Sequence, residues 1–144
     1  DANKIYCGGA FGTLPIYATA FVNVSSGKLK KNVSPSSYGL AEILQINPVK
    51  YQYIFDQSGV FQLGFIAEEM AEVVPELVAF HDEDNNIASE GEAKGIDYSK
   101  MTAVLVKAVQ EQQEMIELQN KQLIKLQEEN VEFRQKLEIL KNKK

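Results

Sequence analysis

The chain has 144 residues, 44% of them hydrophobic, and a formal charge of −5 at pH 7. That is apolar material for one domain with a modest core, which excludes a chain disordered by composition, and no apolar run approaches the roughly 18–20 residues of a membrane-spanning helix. The charge is segregated into an acidic middle over 66–97, read as a solvated face and loop, and a basic end over 121–144 whose lysines alternate with acids without interleaved aromatics. The latter is the surface of a solvated helix rather than a nucleic-acid groove, so neither nucleic acid nor membrane is expected as a partner.

Residues 1–24 read as the end of an upstream β-rich segment. Cys7, the single cysteine, lies in a glycine-rich stretch without an activating base, and we assign it no catalytic or metal role. After the glycine-broken lead Gly8-Gly9-Ala10-Phe11-Gly12, Ile16, Ala18, Ala20 and Val22 alternate with Tyr17, Thr19, Phe21 and Asn23. This predicts a strand that packs on both faces but is too short for a core of its own. Ser25 to Pro35 is polar and basic, with Gly27 and Pro35 marking a loop or turn. Ser36-Ser37 offer an N-cap to a short helix over 38–45, which ends before Asn47-Pro48. Strands are predicted over 49–55 and 60–65 around the turn Asp56-Gln57-Ser58-Gly59. A helix over 67–74 is stopped by Pro75, a third strand covers 77–80, a polar tip covers 82–86, and 94–98 leads into the last element.

Phe65, Ile66, Val73, Val74, Leu77 and Val78 are the expected core, with Glu68 and Glu69 on a helix surface or an interface. His81 beside Asp82, Glu83 and Asp84 suggests a metal site, but the stretch lacks the sixth-position glycine and twelfth-position acid of a calcium loop. It reads as a solvated hairpin tip, and no metal or cofactor is expected.

The final helix carries the clearest pattern. A 4-3 spacing places Val109, Ile116, Leu123, Asn130 and Leu137 at heptad position a, and Leu105, Gln112, Gln119, Leu126, Phe133 and Leu140 at d. No glycine or proline interrupts it from Ser99 onward. At about 1.5 Å per residue it is roughly 65 Å long, more than a small body can cover, and the chain has no second long helix to pair with it. Self-association follows. Gln112, Gln119 and Asn130 weaken the seam but fix register, and Glu129 at g is placed to meet Arg134 at e of a parallel neighbour. The heptads alone leave two and three strands open.

Four segments, in order, resemble the intramolecular chaperone of endosialidase family, also called the S74 peptidase family. Ser25-Ser26-Gly27-Lys28-Leu29-Lys30-Lys31-Asn32-Val33 is similar to the family's S-D-x-R-L-K-x-N-[IV]. Leu44-Gln45-Ile46-Asn47-Pro48-Val49-Lys50-Tyr51 is similar to L-x-x-[IL]-x-P-V-x-[FY]. Gly64-Phe65-Ile66-Ala67-Glu68-Glu69-Met70, followed by Val74-Pro75-Glu76-Leu77-Val78, is similar to G-[FL]-I-A-Q-E-V and P-E-L-V. Asp97-Tyr98-Ser99-Lys100-Met101-Thr102-Ala103-Val104-Leu105 is similar to D-Y-[ST]-x-L-x-A-L-L.

The expected fold is therefore α+β: a body of short strands and helices over 25–100, then a helix over 101–144 forming a parallel, trimeric coiled coil. The resemblance implies a homotrimer that sits C-terminal to an elongated phage tail fibre or spike, helps that upstream part of its own polypeptide to fold, and then cuts itself off. It would work in the host cytoplasm during virus assembly, or stay on the virion fibre if uncut.

The resemblance also names the chemistry. Ser25 and Lys30 correspond to the family's cleaving pair, and the scissile bond is Val24–Ser25. Spacing alone would make them an ordinary loop serine and a surface lysine. A serine hydroxyl needs a base, and lysine is one only as the neutral amine, a state favoured by burial or nearby positive charge. Lys28 and Lys31 flank Lys30 and would supply such charge three times over around a trimer axis. The chain departs from the family pattern at Ser26, where an acid is expected, and at Gly27. Two rival readings stand beside this one: an uncut trimerisation cap of the same fold, and a generic coiled-coil adaptor whose small domain binds another protein.

Overall fold

A computed structural model describes residues 22–82, 87–88 and 90–142. The chain divides into two compact units, Asp1–Pro35 and Ser36–Lys144. The described part of the first unit is exposed and irregular, with one 3-10 turn at Gly27–Leu29. Most of the strand expected over 16–24 lies outside the described residues, as does Cys7, while 22–24 belong to no strand.

The second unit runs α1 (Leu40–Ile43), β1 (Val49–Tyr51), β2 (Gln62–Gly64), α2 (Ala67–Val73), a 3-10 turn (Pro75–Leu77), β3 (Val78–His81), β4 (Ile87–Ala88), β5 (Glu92–Ile96) and α3 (Tyr98–Lys141). The arrangement is mixed, with two small antiparallel sheets and one long helix. β1 and β2 pair with Val49 opposite Gly64 and Tyr51 opposite Gln62. The second sheet has the order β4-β3-β5, with an irregularity between Ala79 and Phe80.

Several boundaries differ from the sequence reading, and the first two strands, the start of the short helix and β5 show why. The first two strands stop short because residues 52–59 hydrogen-bond among themselves. Asp56 Oδ1 accepts from Ser58 N at 2.8 Å, Asp56 N donates to Tyr53 O at 3.0 Å, and Gln52 Nε2 donates to Gly59 O at 2.6 Å. Such bonds compete with the sheet ladder. The short helix begins at Leu40 because Ser36 Oγ accepts from Tyr38 N, leaving Gly39 as the capping residue. β5 was read as a mere lead because Glu92-Ala93-Lys94-Gly95-Ile96 is poor in strand-forming residues; its pairing with β3 makes it a strand.

The core is Met70, Val74, Leu77 and Val78 packed on Met101 and Val104 of α3. Pro75 ends α2, and the 3-10 turn it opens swings Leu77 inward. Glu68 and Glu69 occupy the exposed first turn of α2, where carboxylates suit the positive end of a helix. Phe65 and Val73 pack at the core's edge, but Ile66, expected inside, is 38% exposed.

Two devices fix α3 to this core. Asp97 caps it, accepting from Ser99 N at 3.0 Å, and Asp97 N donates to Leu77 O at 2.7 Å. Further along, Glu111 Oε2 accepts from Leu40 N at 2.8 Å while its other oxygen pairs with Lys107 at 3.2 Å, so α3 caps α1. A Cβ on Gly39 would meet the Glu111 carboxylate, so a larger residue there would displace that side chain from its place on Leu40 N.

Leu77→Ala, which empties a site 2% exposed, is expected to cost about 3 kcal/mol in chemical denaturation. Leu63→Ala, at 83% exposure, is expected to cost less than about 0.5 kcal/mol in the same measurement. Hydrogen bonding from Ser99 holds the Asp97 carboxyl below its ordinary 3.8, and the Leu40 amide with Lys107 holds Glu111 below its ordinary 4.5. A depressed folded value means that the stabilisation is complete above the ordinary value and is lost as pH falls through the folded one. Melting temperature should therefore be flat down to about pH 5 and fall below about pH 4, with Asp97→Asn flattening the fall.

Candidate functional site

The candidate site lies within the first unit and is built by one 3-10 turn held by three hydrogen bonds. Ser26 sits at φ −61, ψ 133 and caps the 3-10 turn, its Oγ accepting from Lys28 N at 3.4 Å. Leu29 N donates to Ser26 O at 3.0 Å and Lys30 N to Gly27 O at 3.2 Å. Lys30 then returns to extended backbone, at φ −110, ψ 145. A 3-10 turn compresses the chain to about 2 Å per residue, so groups five apart come within reach of one another. Lys30 Nζ donates to Ser25 Oγ at 2.8 Å.

The two residues named by the resemblance are thus in direct contact. The hydrogen bond runs from the ammonium to the serine oxygen, whereas attack needs the amine to accept the hydroxyl proton. Both residues are exposed in the single chain, as are Lys28 and Lys31. Asn32 reverses the chain just beyond at φ 54, a left-handed conformation that asparagine tolerates. Val22, Val24, Leu29 and Val33 all present aliphatic surface to solvent around the pair.

Sequence reasoning missed the role of Ser26. Its oxygen caps the 3-10 turn, accepting from Lys28 N. The signal was present: a serine followed by glycine is a cap before a tight turn. The departure at Gly27 has room around it, since nothing lies within 4 Å of a Cβ built there.

No curated protein matches the chain. Residues 25–79 match the family Peptidase_S74, chaperone of endosialidase. The match begins at Ser25 and takes in the first three of the four motifs, while the fourth, opening α3, lies beyond it. It supports a chaperone role and a context related to phage tails. Elsewhere, His81 ends β3 with its Nδ1 buried and without a hydrogen-bond partner among the described residues, and Glu83 and Asp84 lie outside them.

Leu29→Pro deletes the amide that donates to Ser26 and should open the turn. Nuclear Overhauser contacts between the Lys30 ε and Ser25 β protons are expected in the parent chain and absent from the variant. Their survival would show that the contact does not depend on the turn.

Proposed function

We propose that this chain is an intramolecular chaperone that assembles as a homotrimer through α3, assists folding of an upstream β-rich fibre or spike segment of its own polypeptide, and releases itself at Val24–Ser25. The S74 match supports the chaperone role. The assembly rests on α3, whose a and d side chains Leu105, Val109, Ile116, Leu123, Leu126, Phe133, Leu137 and Leu140 are all exposed in the single chain. A helix of 44 residues with that seam open to water gains by burying it against copies of itself.

The observation that carries the cleavage is the contact between Lys30 Nζ and Ser25 Oγ. With Lys30 as the neutral amine, it takes the hydroxyl proton while Ser25 Oγ bonds to the carbonyl carbon of Val24. The tetrahedral carbon then expels the Ser25 nitrogen, which takes up the proton as a free amine, leaving Val24 esterified to Ser25 Oγ. Water attacks the same carbon, and loss of the alkoxide gives the Val24 carboxylate and restores the hydroxyl. In the single chain the pair is bathed in water, which solvates the ammonium. Packing of three copies would cover the surrounding aliphatic surface and bring the three lysine clusters together, both of which favour the neutral amine. Cleavage then waits for assembly.

A second reading keeps the same fold and trimer but leaves the bond intact. The departures at Ser26 and Gly27 favour it. The two separate by intact mass, under denaturing conditions, of a polypeptide carrying residues 1–144 behind a folded upstream segment. Splitting between Val24 and Ser25, slowed about a thousandfold or more in Ser25→Ala and in Lys30→Ala, is the expected result. A whole wild-type chain that runs as a trimer would leave the uncut cap.

A further inference from the structure

Residues of both sheets line a cleft of about 360 Å³ in the second unit, and its walls are rich in aromatic rings. Tyr51, Tyr53, Phe65 and Tyr98 border it, with the carboxylate-bearing Glu68 beside them. The rings stand at different angles. Tyr51 and Tyr53 meet edge to face, with centroids 5.2 Å apart and planes at 85°, while Phe65 and Tyr98 are tilted by 34° at 6.0 Å. Their hydroxyls gather near Gly64. Tyr51 donates to the Tyr53 oxygen at 3.2 Å, and a Cβ on Gly64 would lie 2.7 Å from the Tyr98 hydroxyl and 3.7 Å from that of Tyr51. A larger residue at 64 would push the Tyr98 hydroxyl aside.

Four rings, three phenol oxygens and a carboxylate on one cleft suit a cation. A ring attracts positive charge to its face, phenol oxygens accept from N–H groups, and a carboxylate supplies the opposite charge. The surroundings agree, since residues 66–97 carry ten acids and one lysine. That lysine, Lys94, also borders the cleft, but its ammonium pairs with Glu92 of its own strand at 3.1 Å. Glu68 has no ion pair among the described residues, so its charge is left for the cleft. Arginine fits these walls better than lysine. Its planar guanidinium stacks on one ring while its five N–H groups reach hydroxyls and carboxylate together.

The remaining wall says what carries the cation. Ala93, Lys94, Gly95 and Ile96 are consecutive in β5, and all four line the cleft. Successive side chains of a strand point to opposite faces, so a surface bordered by all four is the strand's edge. Among the described residues β5 pairs with β3 alone, which leaves this edge without a strand partner. An extended chain can pair along such an edge and drop alternate side chains into adjoining pockets, whereas a small free cation uses the rings but not the edge. We propose that this cleft binds an extended polypeptide segment along the open edge of β5, with an arginine side chain of that segment held among Tyr51, Tyr53, Phe65 and Tyr98 and against Glu68. The site is complete within one copy of the second unit and requires neither assembly nor cleavage.

Binding is read from the ring proton resonances of Tyr51, Tyr53 and Tyr98 in the full chain. Three probes are titrated into the millimolar range: capped valine-arginine-valine, the same peptide with neutral citrulline in place of arginine, and free arginine amide. The expected result is a saturable shift with the arginine peptide, and binding at least about fivefold weaker for the other two probes. Glu68→Gln, on an exposed turn, should remove most of the difference between the two peptides while leaving the far-UV circular dichroism unchanged. Equal binding of the arginine and citrulline peptides would overturn the cation site, and so would a difference that persists in full in Glu68→Gln. Equal binding of arginine amide and the arginine peptide would overturn the role given to β5, since the occupant would then be a small cation. No saturable shift with any probe would overturn the site altogether.

Discussion

A helix of 44 residues whose body covers only its first third sets the terms for everything else in the second unit. Its two apolar stripes are out of phase. One, through Met101, Val104 and Ala108, is spent on the chain's own core, and the other, through the a and d positions, meets only water. An isolated helix of this length gains little from propensity alone, because helices in water depend mainly on packing of a buried face. The core and the seam are thus tied together. Anchoring by Asp97, Leu77 and Glu111 sets the rotation of α3 on the body, and that rotation decides which side chains are left for a neighbour.

The same division of labour explains why a cleaving pair would be placed on a turn rather than in the core. Ser25 and Lys30 are brought together by three backbone-scale hydrogen bonds within one 3-10 turn, a geometry that requires no tertiary support. An exposed contact of this kind fixes geometry but leaves the pair open to water. Geometry is encoded locally and early, while the desolvation that attack requires must come from other surfaces. On the proposed function, this separates folding of the site from its activation.

What was legible in the sequence follows from the range of the interaction that sets each feature. The long uninterrupted helix and the stop at Pro75 are properties of a few neighbouring residues, and both are found in the structure, the helix opening at Tyr98. Val74, Leu77 and Val78 are buried as expected because a proline-ended helix followed by apolar residues turns inward. β5 was missed because its strand character comes from β3, some fifteen residues away, rather than from its own side chains. Met101 and Val104 were missed as core because the heptad reading looked at the seam and passed over the second stripe. The capping of α1 by Glu111 spans 71 positions in sequence, and no local pattern announces it.

The polar seam positions differ in what they ask of an assembly. Asn130 already donates through Nδ2 to Leu126 O at 2.8 Å, so one of its two amide hydrogens is satisfied by its own helix. Its other hydrogen and its carbonyl oxygen remain to pair across a parallel, in-register seam, where the same residue stands opposite. A slip of one heptad would set Asn130 against Leu123 or Leu137, and the unpaired amide would be buried among leucines at a cost of about 1–3 kcal/mol per copy. On the proposed assembly, register would be enforced near the far end of α3, where Lys125 and Glu129 at 3.9 Å and Glu132 and Lys136 at 3.8 Å make only exposed, weak pairs.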